Sequence, residues 1–157
     1  MIVRTPETSQ ALFVRAGAQL CAIPLEHVAE TMRPLPIEPV AEMPDFVRGI
    51  SVIRGMPVPV IDLKALLESA DISASYGRFV TLKIAKGRAA IGVDSVVGLR
   101  TLDSGQLGEL PPILRAVGSD VIEAIGTRDA QLLLVLSAAR LVPDEVWSTL
   151  AKIEATR

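Results

Sequence analysis

The sequence predicts a mainly β protein built from two similar units, with a single helix at its C-terminal end. Hydrophobic residues make up 50% of the 157 positions but aromatic residues only 3%, so the core has to be built from Val, Ile, Leu and Ala. Short apolar stretches alternate with polar residues and are separated by turn-forming residues. The pattern of the first half returns in the second half, and we therefore expect roughly five short strands in each unit.

The first unit follows a polar lead-in over residues 1–10. Its strands are predicted from alternating or continuous apolar runs bounded by Gly, Pro and polar residues. They cover residues 12–15, 20–23, 47–53 and 57–61. One helical turn is expected over residues 24–28, and a Pro-rich connection without periodicity over 33–44. Asp62 is placed to cap a short helix over residues 63–68.

A polar linker over residues 69–76 separates the two units, and the repeat begins after it. Strands are expected over residues 79–84 and 89–93, with a turn between them. Residues 93–96 then match residues 25–28 in their order of apolar and acidic types. When Phe46 is set beside Val121 without gaps, residues 57–61 fall on residues 132–136. A chance match between two apolar runs is the alternative to a true duplication.

The C-terminal segment has no counterpart in the first unit. Pro143 and the acidic residues after it are typical of a helix start. Val146, Leu150 and Ile153 share one face, which predicts an amphipathic helix over residues 144–155 that lies on the β units. Trp147 is expected to be a packing anchor in this helix.

Composition also excludes several classes of function. The net charge of −2 and the scarcity of aromatic side chains argue against a nucleic-acid binder. The single Cys21 and the single His27 allow no intrachain disulfide and no structural zinc site. The first residues contain no apolar signal core, and the densest apolar run, residues 132–136, is too short to cross a bilayer. We therefore expect a cytoplasmic protein without a metal or cofactor.

Three blocks of the sequence resemble the CheW family of chemotaxis coupling proteins. The longest is MPDFVRGISVIRGMPVPVIDL, residues 43–63, and residues 22–30 and 91–99 supply the other two. The blocks stand in the expected order, and the resemblance covers about residues 10–143. Two positions depart from the family pattern. Val52 replaces an Asn, and Ser137 stands where some relatives carry an acid, and both bear more on partner identity than on fold.

The resemblance implies a fold and a cellular role. It implies two SH3-like five-stranded β-barrels that share one core, followed by a C-terminal helix. The whole forms a single CheW-like domain over residues 10–157, with a first barrel at about 10–68 and a second at about 77–142 that can share strands with the first. It further implies a non-enzymatic adaptor that couples bacterial chemoreceptors to a CheA-type histidine kinase. Its expected partners are the kinase regulatory domain and the helical tip of a receptor, which would recruit the protein to membrane receptor arrays.

Arg54, Val28 and Glu30 form the predicted receptor-binding set. Arg54 follows a strand at a turn, and a guanidinium there can fork onto carboxylates or carbonyls of a helical hairpin. Val28 and Glu30 resemble positions that line the receptor groove of the family, where they would provide an apolar anchor and a charged rim. A solvated turn is the alternative for Arg54. A core position is the alternative for Val28, since it repeats as Val96.

Met56 and Val58 form the predicted kinase-binding set. Pro57 and Pro59 are two residues apart, so their missing N–H groups lie on one edge of a strand and block a continuous ladder there. Side-chain docking of Met56 and Val58 onto a homologous barrel then becomes plausible. The alternative is that both side chains pack within their own barrel.

Two other functions are alternatives to this one. A CheW-like scaffold of a pilus, gliding or other sensory array would have different clients. A small-ligand-binding or hydrolytic β-barrel would have to use His27 in a deep polar pocket. Asp62 and Asp94 fit capping better than acid–base catalysis, and no catalytic residue is predicted.

Overall fold

The computed structural model describes residues 8–68, 75–109 and 119–155. This part of the chain contains ten strands and two α-helices. In chain order they are β1 (Thr8–Ala16), β2 (Gln19–Pro24), β3 (Val28–Met32), β4 (Val47–Ile53), β5 (Met56–Asp62), α1 (Leu63–Glu68), β6 (Arg78–Ile84), β7 (Gly87–Val93), β8 (Ser95–Asp103), β9 (Ile122–Arg128), β10 (Gln131–Leu136) and α2 (Asp144–Ala155).

The strands form two five-stranded sheets. Sheet A has the order β8-β1-β2-β10-β9, and sheet B has the order β3-β6-β7-β5-β4. Most neighbouring strands are antiparallel, whereas β10 pairs with β2 and β5 pairs with β7 in parallel. Sheet B therefore consists of consecutive strands, while sheet A joins the first two strands to the last three. The sheets thus do not follow the division of the chain at the linker.

Strand pairing shows the duplication residue by residue. Val47 pairs with Ile61 and Ile53 with Met56 in the first hairpin; 75 positions later, Ile122 pairs with Leu136 and Arg128 with Gln131. The β1–β2 and β6–β7 hairpins match in the same way at a shift of 68 positions, as do the β3–β6 and β8–β1 pairings. The two sheets are equivalent in strand order as well as in register.

The main hydrophobic core lies between the two sheets. Leu12, Val14, Ile61 and Leu136 belong to it, and all are buried. Each sheet also encloses a smaller cluster of its own, around Phe13 in sheet A and around Phe79 in sheet B. Burial of one such side chain stabilises the fold by about 1.5–3 kcal/mol, so the shared core holds the sheets together.

The predicted fold class is confirmed: two five-stranded units of mainly β structure share a core and carry a C-terminal helix. Neither sheet closes into a fully hydrogen-bonded barrel, since β3 and β4 remain the edges of sheet B and β8 and β9 those of sheet A. The barrel and domain boundaries stay a prediction. Neither helix in the described part of the chain has the length and apolar run that spanning a bilayer requires.

Several elements match the expected bounds and others do not. The predicted helices at 63–68 and 144–155 are confirmed, and the backbone N–H of Ala65 donates to Asp62 Oδ1 at 2.9 Å, as a capping residue requires. The helical turn expected over 24–28 is a 3₁₀ turn at Leu25–His27. Strands β3 and β8 were not assigned from sequence. Residues 69–74 of the linker lie outside the described residues.

Candidate protein-interaction surfaces

Glu30 is held firmly at the edge of sheet B. It follows a bulge in β3, where the pairing with β6 shifts between Val28 and Glu30. Its backbone N–H donates to the Thr81 hydroxyl at 3.1 Å, and that hydroxyl donates in turn to the Glu30 carbonyl at 3.3 Å. Thr81 is buried, so this edge position has a rigid support.

Arg54 reaches Glu30 from the turn between β4 and β5. Its backbone is left-handed, with φ of 52°. The guanidinium grips the carboxylate with two hydrogen bonds, Nε to Oε1 at 2.8 Å and Nη2 to Oε2 at 2.7 Å. The Arg54 side chain is 74% exposed and the Glu30 side chain 28%. The fork expected to meet a partner therefore binds Glu30 in the chain itself, and the edge formed by Nη1 and the second hydrogen of Nη2 provides the remaining donors.

The charges of this pair reinforce one another. The hydrogen bond from Arg54 is the main cause that lowers the pKa of Glu30, and the charges of Arg54 and Arg88 act in the same direction. The pair likewise raises the pKa of Arg54. Both groups are therefore ionised at neutral pH. We call Arg54 and Glu30 together the ion-pair site.

The ion-pair site spans the open side of sheet B. It links β3, one edge of the sheet, to the turn that follows β4, the other edge. Nearby, Glu38 and Ile50 exchange backbone hydrogen bonds of 2.8 and 2.9 Å, and the Ser51 hydroxyl donates to the Pro36 carbonyl at 2.7 Å. The Arg54–Glu30 pair, the Ser51–Pro36 hydrogen bond and the Glu38–Ile50 bridge thus connect the two edges of sheet B, which strand pairing does not join.

Val28 lies two residues before Glu30 on β3. It pairs with Leu82 and packs, half-buried, against the core between the sheets. The structure therefore brings Arg54 and Glu30 into direct contact, while Val28 shares their strand and also serves the core.

Met56 and Val58 line a cleft beside helix α2. Met56 is 56% exposed, whereas Val58 is only 2% exposed and packs in the cluster inside sheet B. The cleft has a volume of about 360 Å³, and Trp147, Leu150 and Lys86 contribute to its walls. We call it the Trp147 cleft. Met56 presents its side chain outward there, while Val58 contributes to the floor.

The prolines explain why the Trp147 cleft opens at this place. The parallel pairing of β5 with β7 begins only at Val60, opposite Ala90. In sheet A the corresponding pairing begins at Leu133, the counterpart of Val58. Because Pro57 and Pro59 have no N–H to offer β7, the starts of the two strands separate and leave a gap.

Sequence reasoning identified Trp147 as a packing anchor, as the structure shows, but missed the contacts that complete this cleft. Lys86 forms an ion pair with Asp144, which holds the start of α2 against the β6–β7 turn. Trp147 lies directly over Gly87, so close that a Cβ on Gly87 would come within 3.1 Å of its ring. Both contacts join segments far apart in the chain. The helix has no copy in the repeat, so no internal comparison was able to indicate them.

The second half of the chain does not repeat the ion-pair site. Gly98 holds the register position of Glu30, and Asp129 that of Arg54. Neither residue type is able to reproduce the pair. The two sheets therefore share a backbone plan but present different surfaces.

His27 and Cys21 show no arrangement for catalysis or metal binding. His27 Nε2 is 3.5 Å from Glu26 Oε1, and Cys21 is completely buried. Within residues 8–68, 75–109 and 119–155, no group of three or more His, Cys, Asp or Glu side chains is arranged to hold a metal ion.

Comparison with known proteins identifies the family. The family model of the CheW-like domain matches residues 10–146. The chemotaxis protein CheW of Treponema pallidum is 23% identical over 94% of this chain and 89% of its own length. Protein FrzA of Myxococcus xanthus is 31% identical over 78% of this chain and 79% of its own.

A solved structure has the same fold. The crystal structure of the scaffolding protein TtCheW from Thermoanaerobacter tengcongensis superposes with a TM-score of 0.76, at 21% identity, over 91% of this chain and 93% of that chain. The chain thus belongs to the family of CheW-like domains, whose members are scaffold proteins and not enzymes.

Proposed function

We propose that this protein is an adaptor that couples bacterial chemoreceptors to a CheA-type histidine kinase. Family membership supports a scaffold role in chemotaxis, and the observation that carries the finer proposal is the ion-pair site. It offers an exposed guanidinium whose position is fixed by Glu30. The free Nη1 edge is suited to a carboxylate on a receptor helical tip, with Val28 beside it as an apolar contact.

The test separates direct contact from structural support. We expect Arg54→Glu to weaken binding of a receptor tip fragment about tenfold, measured by isothermal titration, because attraction becomes repulsion. The thermal midpoint should change little, since exposed ion pairs contribute little to stability. Lys152→Glu, which makes the same charge change on α2, is the matched control and should bind as the parent does.

The charge swap Arg54→Glu with Glu30→Arg provides the second arm. It restores an ion pair across the open side of sheet B but moves the cation to the other strand. We expect receptor binding to stay weak in this variant. Full recovery of receptor binding would show that the ion pair acts only by connecting the edges of sheet B. The proposal that Arg54 contacts the receptor directly would then be wrong.

The Trp147 cleft is the proposed kinase-binding surface. Met56 supplies an exposed apolar side chain at its mouth, and Val58 supports the floor. We expect Met56→Glu to weaken binding of the kinase regulatory domain without affecting the receptor fragment. Leu132→Glu, at a 39% exposed position on the equivalent strand of sheet A, is the control. Equal losses in both variants would contradict a specific role for Met56.

The proposal includes a cytoplasmic location with recruitment to membrane receptor arrays. Its alternative is a CheW-like scaffold of another sensory array, such as one for pili or gliding. The 31% identity to Protein FrzA, a relative with a different name, keeps this alternative in view. Purification of the tagged protein from its native cell, with identification of the bound kinase, distinguishes the two.

A further inference from the structure

Sheet A contains an open cleft at the end where β9 begins. Its volume is about 570 Å³, with Leu102, Leu107 and Val135 among the apolar residues that line it. Glu26 and Glu123 stand at its edge. We call it the Glu123 cleft. It lies outside the ion-pair site and outside the Trp147 cleft.

The internal repeat shows what fills the equivalent place in sheet B. There the ring of Tyr76 lies on Gly92, where an added Cβ would come within 2.5 Å of the ring. The ring packs with the cluster that contains Val60, and its centroid is 6.0 Å from that of Phe79. Its hydroxyl donates to Asp62 Oδ2 at 2.8 Å. An aromatic side chain thus plugs this end of sheet B.

The matching positions in sheet A line the Glu123 cleft but do not fill it. In the register of the repeat, Pro24 corresponds to Gly92 and Val135 to Val60, and both line the Glu123 cleft. Ala11 takes the place of Phe79. Thr8, at the position of Tyr76, is an exposed strand residue paired with Asp103. Tyr76 and Phe79 of sheet B are therefore replaced by the small side chains of Thr8 and Ala11, and among the described residues no ring covers Pro24 and Val135 as the Tyr76 ring covers Gly92 and packs with Val60.

The charge around the Glu123 cleft also differs from the charge around Tyr76 in sheet B. In sheet B, Arg48 is close enough to Tyr76 to act on its hydroxyl. Its counterpart at the same bulge in sheet A is Glu123. Glu26 adds a second carboxylate, and none of the described residues that line the cleft is Lys, Arg or His. The cleft is therefore apolar inside and acidic at its rim.

We propose that the Glu123 cleft binds an aromatic side chain of a partner polypeptide whose neighbouring residues are Lys or Arg. A cavity of ~150 Å³ already holds a benzene molecule, so a phenol or phenyl ring fits easily. The flat face of Pro24 offers a surface for the ring, and the two carboxylates attract the flanking cations. The partner would supply in trans what Tyr76 supplies within the chain.

The direct test is an NMR titration of the full chain with a defined probe. The probe is a nonapeptide with one central Tyr flanked by two Lys on each side and Gly elsewhere. We expect the amide signals of Ala124, Leu107 and Val135 to shift on titration. A peptide with Ala in place of Tyr should leave them unchanged. Equal shifts with both peptides would show that the Lys residues alone cause the shifts, without a role for the ring, and would overturn the proposal.

Two variants test the rim. Glu123→Gln should weaken binding of the Tyr peptide about two- to fivefold, as expected for the loss of one exposed ion pair. Asp129→Asn changes the net charge equally at a turn outside the cleft and should have no effect. Peptide binding unaffected by Glu123→Gln, or shifts centred on Met56 and Trp147, would also contradict the proposal.

Access to the cleft is tested independently of any peptide. Ala124→Cys introduces a thiol into the lining, and the buried native Cys21 contributes little background. Rapid reaction with a thiol reagent, slowed by the Tyr peptide, is expected. Slow reaction without peptide, in a monomer shown by sedimentation, would mean that the chain itself covers the cleft. Concentration-dependent protection would identify a second copy as the occupant. Either result overturns the proposal.

Discussion

At the scale of single residues, the Tyr76 hydroxyl and the buried Asp62 carboxyl group form a polar contact inside sheet B. Asp62 is completely buried, and it accepts hydrogen bonds from the Tyr76 hydroxyl through Oδ2 and from the Ala65 amide through Oδ1. Burial of the ring and the hydrogen bond to Asp62 raise the pKa of Tyr76. The hydroxyl is therefore protonated at neutral pH and donates to Asp62.

Loss of this one hydroxyl should be measurable. We expect Tyr76→Phe to lower the free energy of unfolding by about 1–2 kcal/mol, because a buried carboxyl oxygen loses a donor. This corresponds to a fall of about 2–8 °C in the thermal midpoint. Ser148→Ala removes an exposed hydroxyl that donates to a helix carbonyl and should leave the midpoint unchanged. A Tyr76→Phe variant as stable as the parent would show that the contact contributes nothing.

Cys21 gives a prediction about pH. Burial, assisted by the charge of Glu68, raises the pKa of its thiol to about 12. In the unfolded chain a thiol titrates near its ordinary pKa of about 8.5. The thiol in the folded protein therefore keeps its proton to a higher pH than the thiol in the unfolded chain. This difference contributes fully to the free energy of unfolding below the pKa of the unfolded thiol, and the contribution is lost as the pH rises towards about 12.

The corresponding measurement is thiol reactivity. At pH 8 the native protein should react very slowly with a disulfide reagent, while the denatured protein should react at the rate of a free cysteine. Fast reaction of the native protein would mean that the β2 strand opens readily.

At the scale of elements, the two equivalent hairpin turns differ in one instructive residue. Both turns place two residues at positive φ, Arg54 and Gly55 in the first, Asp129 and Ala130 in the second. This is the type I′ geometry that suits a two-residue hairpin loop. Gly55 adopts it at no steric cost, whereas Ala130 at φ of 64° is strained.

Substitutions at Ala130 and at Gly55 should change the free energy of unfolding in opposite directions. We expect Ala130→Gly to stabilise the protein by about 1 kcal/mol and Gly55→Ala to destabilise it by a similar amount. An added Cβ at Gly55 meets no atom within 4 Å, so its effect would be purely conformational. Denaturant unfolding of the two variants measures both. Changes of the same sign would mean that backbone strain does not govern these turns.

Another difference between the repeats explains why an α-helix begins directly after β5 but not after β10. Asp62 caps α1 by accepting from the Ala65 amide. Ser137, at the equivalent position, makes no side-chain cap, and only a 3₁₀ turn at Ala138–Arg140 follows. The departure at Ser137 noted in the sequence thus affects local structure as well as surface.

At the scale of the whole molecule, the linker and the sheets divide the chain differently. A cut within the linker separates β3, β4 and β5 from β6 and β7, and likewise β1 and β2 from β8, β9 and β10. We expect fragments 1–71 and 72–157 to be unfolded separately and to fold when mixed, as circular dichroism would show. A fragment that folds alone would contradict the need for strands from both halves.

Much of this architecture was predictable from sequence, but the pairing of distant strands was not. The gapless match of residues 46–67 with residues 121–142 predicted two equivalent hairpins, because register follows from apolar pattern and turn position. Nothing local indicated that β2 pairs with β10, since Leu20 and Leu133 meet only in the folded chain. The β3 and β8 edge strands were not predicted because few of their side chains are buried, so burial imposes no alternation of apolar and polar residues on them.

The interaction surfaces were predictable only in part. The residues of the ion-pair site were identified individually by resemblance, but their mutual contact was not, because Glu30 and Arg54 belong to opposite edges of a sheet. The alternation that suggested docking by Val58 does not tell which face is buried. The Glu123 cleft was not predictable, because Pro24, Leu102 and Val135 belong to three strands that meet only in the folded chain.

The way the chain passes between its sheets has a mechanical consequence. In the described part of the molecule it crosses only twice, after β2 through the turn at Leu25–His27 and after β7 at Asp94. The second crossing is tied to the first strand, since the Asp94 amide donates to the Arg15 carbonyl and its carboxylate accepts from the Gly17 amide. A torque applied to one sheet must therefore flex these two hinges or shear the apolar layer between them.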